Sequence, residues 1–312
     1  MTEYTQLKKK DIQEIADNYA LNVIDFEPIQ GGADNSNFLV FTNQGDYVLT
    51  IFEQLTFAET VEKARIYQLL ADHNFPTSRI LVSVQSEPVK IFQGKPVIIK
   101  EYIAGNIYQN LNKAMLYQVG AAMAKLHQIP SPESFSQGEP YGLLYFPRVY
   151  GKNIDPVFED WAARVFTEFK EWIPSGLPYG LIHADMFSDN VLFEGEKLIA
   201  IIDLIDAFPY FLAFDLGMGL AGMCCNQSAL ELDKVRALIG GYQTVRELEK
   251  SEKESLQYLT VYAAALVSGW RFWKYHYDTP SPDKADWHLL MKLLAEDIRK
   301  IPKNEFIKEI FD

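Results

Sequence analysis

Residues 181–206, LIHADMFSDNVLFEGEKLIAIIDLID, constrain this chain more than any other stretch. The apolar residues up to Ile182 and the apolar run from Leu198 to Ile202 read as two short strands, separated by a polar loop and a turn. His183 and Asp185 directly follow the strand Gly180, Leu181, Ile182, and Asn190 comes five residues after Asp185. The second strand then delivers Asp203. That set suits phosphoryl transfer. A hydroxyl group being phosphorylated needs a carboxylate to position it and take its proton, and a triphosphate needs Mg²⁺ held by hard oxygen ligands such as a carboxamide and a carboxylate. Asp185, Asn190 and Asp203 supply those three groups.

The spacing His-x-Asp-x-x-x-x-Asn also matches a kinase catalytic loop in which another residue replaces the arginine. With 5 His, 19 Asp and 13 Asn in 312 residues, the spacing should arise by chance about 0.013 times, and the closing Asp makes it rarer still. The bland alternative is that Asp and Asn here only form Asx turns at a strand end. It is set aside on that number.

Composition narrows the partners. A formal net charge of −13 argues against a nucleic-acid surface, which needs clustered Lys and Arg, and makes an anionic membrane a poor partner. A cationic or zwitterionic small molecule fits more easily. Cys224 and Cys225 are the only cysteines and are adjacent, so no disulfide framework is expected, and a reducing cytoplasm is the expected compartment. The N-terminus is charged and amphipathic, with no apolar core of a signal peptide. The long apolar stretch from Ala207 to Cys225 contains Pro209 and a central Asp215. It is read as a buried loop plus a core helix, because an unpaired Asp at bilayer depth is costly.

Along the chain, a helix is expected over residues 5–20, followed by strands over 26–29, 37–41 and 47–52, the last two joined by a hairpin turn at Asn43 to Asp46. The loop from Gln30 to Ser36 contains Gly31 and Gly32 and is a candidate to offer backbone N–H groups to phosphates. A helix over 56–74 and strands over 80–84, 88–92 and 96–102 come next. After about residue 103 the pattern turns helical, with helices over 111–128, 156–173, 216–225, 228–240, 251–277 and 282–300 and an irregular connection over 134–153. The expected class is therefore α+β, with a β-rich N-terminal lobe over 1–103 and a mainly helical lobe over 104–312.

At this point the chain resembles the aminoglycoside phosphotransferase and choline kinase superfamily. The likeness is carried by the stretch from Leu181 to Phe193, by Ala200 to Asp203 and by Ala213 to Leu216. A narrower likeness to bacterial type II homoserine kinases rests on Asn35 to Phe38, Tyr47 to Glu53, Leu212 to Leu216 and Gly241 to Arg246. The resemblance implies a bilobal protein-kinase-like fold, ATP as donor, Mg²⁺ as cofactor and a small-molecule hydroxyl as acceptor. By position it makes Asp185 the catalytic base, and Asn190 and Asp203 the Mg²⁺ ligands. His183 joins Asp185 in the catalytic loop, bracing it through hydrogen bonds in preference to acting as a base. Asp215 is assigned to tying the loop to the next helix. Gly31, Gly32, Asn35, Ser36, Thr50, Glu101 and Ile103 are the candidate nucleotide contacts, the last two beside the adenine.

One departure stands out. Kinases carry a lysine on the third strand against the ATP phosphates, and here that position is Thr50, as is usual in the homoserine kinase group. Lys63 and Arg65 are possible sources of the missing charge, although a solvated helix face explains both. For a zwitterionic acceptor such as homoserine, Asp206 is the candidate partner of the ammonium and Arg271 of the carboxylate. The aromatic residues Trp270, Phe272, Trp273, Tyr275 and Tyr277 raise a choline or ethanolamine acceptor held in a cation–π cage, against plain core packing. An aminoglycoside is a third acceptor, and a nucleotide-binding pseudokinase is the reading from another class. The sequence carries no mark of oligomeric state.

Overall fold

Period-two alternation builds the first part of the fold. In the computed structural model, helix α1 (Lys9–Asp17) is followed by strands β1 (Val23–Pro28), β2 (Asn35–Thr42) and β3 (Gly45–Phe52), helix α2 (Phe57–Asp72), and strands β4 (Lys90–Phe92) and β5 (Lys95–Glu101). The structure describes residues 5–29, 35–132, 135, 146–172 and 176–311. The five strands form one antiparallel sheet in the order β1-β2-β3-β5-β4. Leu49 and Ile51 of β3, with Phe38, Val40, Val97 and Ile99, form a core with Ile12, Ile15 and Ala16 of α1. The intervening residues of β3, Thr50 among them, therefore lie on the opposite face. Helix α2 starts at a capping box, in which the Thr56 hydroxyl accepts the Glu59 N–H and the Glu59 carboxylate accepts the Thr56 N–H at 2.7 Å; it packs on β5.

The segment 80–84, expected as a strand, makes only a bridge from Ile80 to Lys100 and a bond from the Leu81 N–H to the Ile99 carbonyl. By Val84 it has left the sheet, its N–H bonded to Asn18 at the end of α1. Gly31 and Gly32 lie outside the described residues.

The chain divides into units Met1–Gly105 and Asn106–Asp312, just beyond the boundary expected at 103. The second unit contains helices α3 (Lys113–His127), α4 (Phe146–Val149) and α5 (Pro156–Trp172), then strands β6 (Tyr179–Ile182), β7 (Val191–Glu194), β8 (Lys197–Ile201) and β9 (Phe208–Phe211). Helix α6 (Leu212–Met223), a small hairpin of β10 (Cys225–Asn226) and β11 (Ala229–Leu230), and helices α7 (Leu232–Gln243), α8 (Lys250–Trp273), α9 (Trp287–Lys300) and α10 (Lys303–Phe311) complete it. The strands pair as two hairpin-like ribbons, β6 with β9 and β7 with β8. Residues 208–211, expected as buried loop, thus form a strand, because an aromatic run finds β6 as its partner. The following helix consequently begins at Leu212, earlier than the expected 216. At its other end α8 stops at Trp273 and passes into a π-helical turn, Lys274–Asp278, which is closed by an ion pair of 2.6 Å between those two residues. Among the described residues no helix is long and apolar enough to cross a membrane.

Helices α3 and α7 touch backbone to backbone. A Cβ on Gly120 would stand 1.9 Å from the Leu238 carbonyl oxygen, and one on Gly241 would stand 1.8 Å from that of Tyr117. Both helices must move apart to admit a methyl group. Gly120→Ala and Gly241→Ala are each expected to destabilise the protein by about 2–3 kcal/mol or more, read as a lower midpoint in urea unfolding.

Candidate active site

The loop between β6 and β7 is fixed from beneath by one carboxylate. Asp215, fully buried in the first turn of α6, accepts the His183 N–H at 3.1 Å through Oδ2 and the Ala184 N–H at 2.8 Å through Oδ1. Ala184 has φ +72°, a left-handed conformation that costs a non-glycine residue about 1–2 kcal/mol, and its bond to Asp215 holds it there. His183 is also fully buried. Its Nε2 bonds the Ile202 carbonyl at 2.8 Å, and its Nδ1 accepts the Asp185 N–H at 3.2 Å. This pattern places the ring proton on Nε2 and leaves His183 as a brace between the loop and the end of β8.

These constraints bring three predicted residues together. Asn190, at the end of a single 3₁₀ turn (Ser188–Asn190), donates from Nδ2 to the Asp185 carbonyl at 2.8 Å and to its Oδ2 at 3.0 Å. The Asn190 carbonyl accepts the Ile202 N–H at 2.9 Å, which draws the end of β8 alongside. Asp203 follows with φ +62° and is exposed. The Asp185 carboxyl is pushed up to about 7, first by burial, then by the charges of Asp203 and Asp189, while the Asn190 bond acts in the other direction. The Asn190 side-chain oxygen and the Asp203 carboxylate bond no protein donor among the described residues. They are hard oxygen donors beside a cluster of negative charge, a set that fits a divalent cation such as Mg²⁺.

Behind Asp215 runs a buried chain of polar groups that the sequence did not disclose. Asp215 Oδ2 also accepts from His127 Nε2 at 2.9 Å, and His127 Nδ1 meets the Tyr242 hydroxyl at 2.8 Å. Arg246 donates to that hydroxyl at 3.1 Å and binds Glu252 in a two-pronged pair, both bonds 3.0 Å. Since the hydroxyl accepts from Arg246, its own proton goes to His127 Nδ1, leaving His127 to donate from Nε2 to Asp215. Burial by itself would raise the Asp215 carboxyl; the hydrogen bond from the His127 ring, the nearness of the two imidazoles and the His183 backbone N–H together hold it below the usual value. Gly241 to Arg246 had been singled out for its resemblance, with no role attached.

The two acceptor candidates are placed differently. Asp206 is exposed on the turn after Asp203. Arg271 is half-buried on α8, and its guanidinium donates to the Trp287 carbonyl at 3.4 Å. Burial lowers its pKa, against the opposing influence of Tyr275, Cys225, Asp185 and Asp189. Its guanidinium thus lies within electrostatic reach of the catalytic loop, and among the described residues no carboxylate pairs with it.

The nucleotide candidates lie in the first unit. Thr50 is fully buried and donates its hydroxyl to Asn37 Oδ1 at 2.7 Å. Asn35 lies on the same face, since Asn35, Asn37 and Thr50 follow the register of β2 against β3. Ser36 does not. It stands opposite Ile51 on the α1 face, where its hydroxyl bonds Glu53 and accepts the Thr5 N–H at 2.9 Å. Its hydroxyl is therefore engaged on that face, and what Ser36 can offer a nucleotide is its backbone. Glu101 is exposed, with its N–H bonded to the Arg79 carbonyl at 2.8 Å, and Ile103 follows the end of β5 half-buried. Arg65 is exposed on α2.

Residues 25–248 match the phosphotransferase enzyme family, APH. The chain belongs to that family and is a small-molecule kinase of its type. It is 29% identical over 276 residues to a homoserine kinase of Caulobacter sp. (strain K31), covering 85% of this chain and 86% of the relative. It is also 29% identical over 274 residues to a homoserine kinase of Mesorhizobium japonicum, with 83% and 84% covered. Among solved structures, an amicoumacin kinase in complex with AMP-PNP, Ca²⁺ and Ami matches with TM-score 0.73 at 15% identity over 96% of this chain and 95% of that one. A microcompartment-associated aminopropanol kinase matches with TM-score 0.73 at 16% identity over 97% and 100%. These likenesses establish the protein-kinase-like fold.

Asp215→Asn replaces an acceptor-only group by one that must point an N–H₂ at a donor, and is expected to destabilise the protein by about 2–4 kcal/mol at neutral pH. Because the folded carboxyl titrates below its unfolded value of about 3.9, its contribution is present above that pH and lost as pH falls through the folded value. The stability gap between wild type and Asp215→Asn should therefore narrow below about pH 4, as measured by urea unfolding across pH.

Proposed function

We propose that this protein is an ATP-dependent kinase that transfers the γ-phosphoryl group to the primary alcohol of L-homoserine, a step on the route to threonine. The observation that carries the acceptor is Arg271: a guanidinium in electrostatic reach of Asp185 and Asp189, with no carboxylate of the described chain paired to it. A carboxylate on the acceptor would complete it as a charge-assisted pair. The homoserine kinases at 27–29% identity support the same reading.

In this reading Asp185 holds the acceptor hydroxyl and takes its proton as the oxygen bonds the γ-phosphorus and the bond to the β-phosphate oxygen breaks, releasing ADP. Asn190 orients Asp185 through its Nδ2 bonds of 2.8 and 3.0 Å. Its side-chain oxygen and Asp203 would hold Mg²⁺, which when bound offsets the charge developing on the phosphoryl oxygens. His183 keeps the loop in shape, Arg271 holds the carboxylate and Asp206 the ammonium. Asn35, Thr50 and the backbone at Glu101 and Ile103 would serve the nucleotide.

The rings on and after α8 speak against a choline cage. Phe272 is fully buried against Phe158 and His288 at 4.6 and 5.0 Å. Trp273 faces Arg148, Tyr277 faces Lys152, and Tyr275 faces Lys284. Trp270 and Tyr275 do meet, at 6.3 Å, but Lys284 already stands 5.2 Å from the Tyr275 ring, and the other three rings turn to different neighbours, so the five do not converge on one quaternary ammonium.

Two tests follow. ADP release with MgATP is expected with L-homoserine in preference to choline, ethanolamine, an aminoglycoside or L-threonine; nucleotide binding without turnover would mark a pseudokinase. Arg271→Met should raise KM for L-homoserine by about 10- to 100-fold and leave its carboxylate-free analogue 2-aminobutane-1,4-diol little changed; equal effects on both would remove Arg271 from the site. For the base, Asp185→Asn is expected to lower kcat by about 10²- to 10⁴-fold with ATP affinity nearly intact, and retained turnover would refute its role.

A further inference from the structure

Helix α6 meets the catalytic loop at two points on one face. Asp215, in its first turn, binds the loop at His183 and Ala184. Gly222 lies seven residues further on, two turns and about 10 Å along the same side, and there the next part of the loop rests on the helix. A Cβ on Gly222 would stand 2.5 Å from the Met186 carbonyl oxygen and 3.1 Å from the Phe187 ring. Met186 is fully buried, and the nearest atom is backbone, so no turn of a side chain makes room for a methyl group.

The peptide that touches Gly222 also shapes Asp185. The Met186 carbonyl and the Phe187 N–H belong to a single planar unit. That N–H donates to the Asp185 carbonyl at 3.0 Å. The same carbonyl accepts from Asn190 Nδ2 at 2.8 Å, and this nitrogen also holds the Asp185 carboxylate at 3.0 Å. Pushing the carbonyl end of the peptide away from α6 tilts its N–H end, and the bonds that aim Asp185 go out of line together. We propose that Gly222 is a positioning residue for Asp185: its bare Cα lets the Met186–Phe187 peptide lie against α6 at the depth at which Asp185 faces Asn190. This rests on the kinase reading above. The loop is then drawn to the helix by a carboxylate at one end and admitted to it by a missing side chain at the other. Gly219, one turn earlier, makes the contrast. A Cβ there would have the sulfur and methyl of Met123 and the methyl of Met223 as its nearest neighbours, all at 3.4 Å. These are ends of flexible side chains.

The experiment compares wild type, Gly219→Ala and Gly222→Ala by steady-state kinetics and by amide hydrogen exchange followed by NMR. Both substitutions bring the same gain in helix propensity, so a difference between them reports position. Gly222→Ala is expected to lower kcat by about 10- to 100-fold with KM for L-homoserine little changed, while Gly219→Ala turns over as wild type. In Gly222→Ala the Phe187 amide should exchange about tenfold faster or more, while the His183 and Ala184 amides, held by Asp215, keep their protection. Turnover as in wild type, a Phe187 amide as protected as before, or faster exchange at all three amides alike overturns the proposal. If Gly222→Ala does not fold alone, it is measured together with Gly219→Ala, whose added helix propensity offsets part of the loss; a chain that folds in neither form makes Gly222 a requirement of the core and overturns the proposal too. A wild type without turnover would overturn the kinase reading instead, and the exchange comparison would still decide the role of Gly222.

Discussion

The Asp215 carboxylate is the point on which the catalytic loop depends. It sits fully buried and accepts from two consecutive backbone N–H groups of the loop and from the ring of His127. A buried carboxylate with fewer donors would be driven toward its neutral form, and a left-handed Ala184 without that bond would relax toward an ordinary conformation. Each need meets the other. The bond that keeps Asp215 charged also keeps the loop strained, and the strained loop is what sets Asp185 against Asn190.

The rigidity of this arrangement comes from far along the chain. Glu252 at the start of α8 holds Arg246, which fixes the Tyr242 hydroxyl, which fixes the His127 ring, which meets Asp215. Every member has its donors and acceptors matched, so the network stiffens the core at little desolvation cost; with one member missing, the same burial would count against it. Asp185, by contrast, stands among the like charges of Asp189 and Asp203 and is pushed up to about 7, burial being the largest cause. The loop is thus anchored by satisfied polar groups on its inner side and presents unsatisfied ones on its outer side, where a cation and a phosphoryl group can complete them.

How far the sequence led differs from residue to residue, for physical reasons. His183, Asp185, Asn190 and Asp203 were legible because their relation is local: short strands and one tight loop fix the spacing, and the structure assembles them. The shift from sheet to helices near residue 103 was legible as a change of period. The face that the Ser36 side chain takes was not legible because a glycine-rich approach hides where a strand begins; once β2 starts at Asn35, parity sends Asn35 and Asn37 to one face and Ser36 to the other. The helix that should have begun at 216 begins at 212 because β9 pairs with a strand thirty residues away, which no local pattern announces. His127 and Tyr242 are 115 positions apart, and each alone reads as an ordinary core residue.

The contact of α3 with α7 gives this last point a practical edge. His127 ends one helix and Tyr242 lies on the other, and the two meet where Gly120 and Gly241 let the backbones touch. The alignment of the whole polar chain is therefore set by two side chains that have no polar atom and never approach the loop. A variant survey confined to charged and hydrogen-bonding residues would pass over both positions. Yet a single added carbon there would lever His127 away from Tyr242 and so reach Asp185 by way of Asp215, producing a protein whose reactive groups are all intact and out of register.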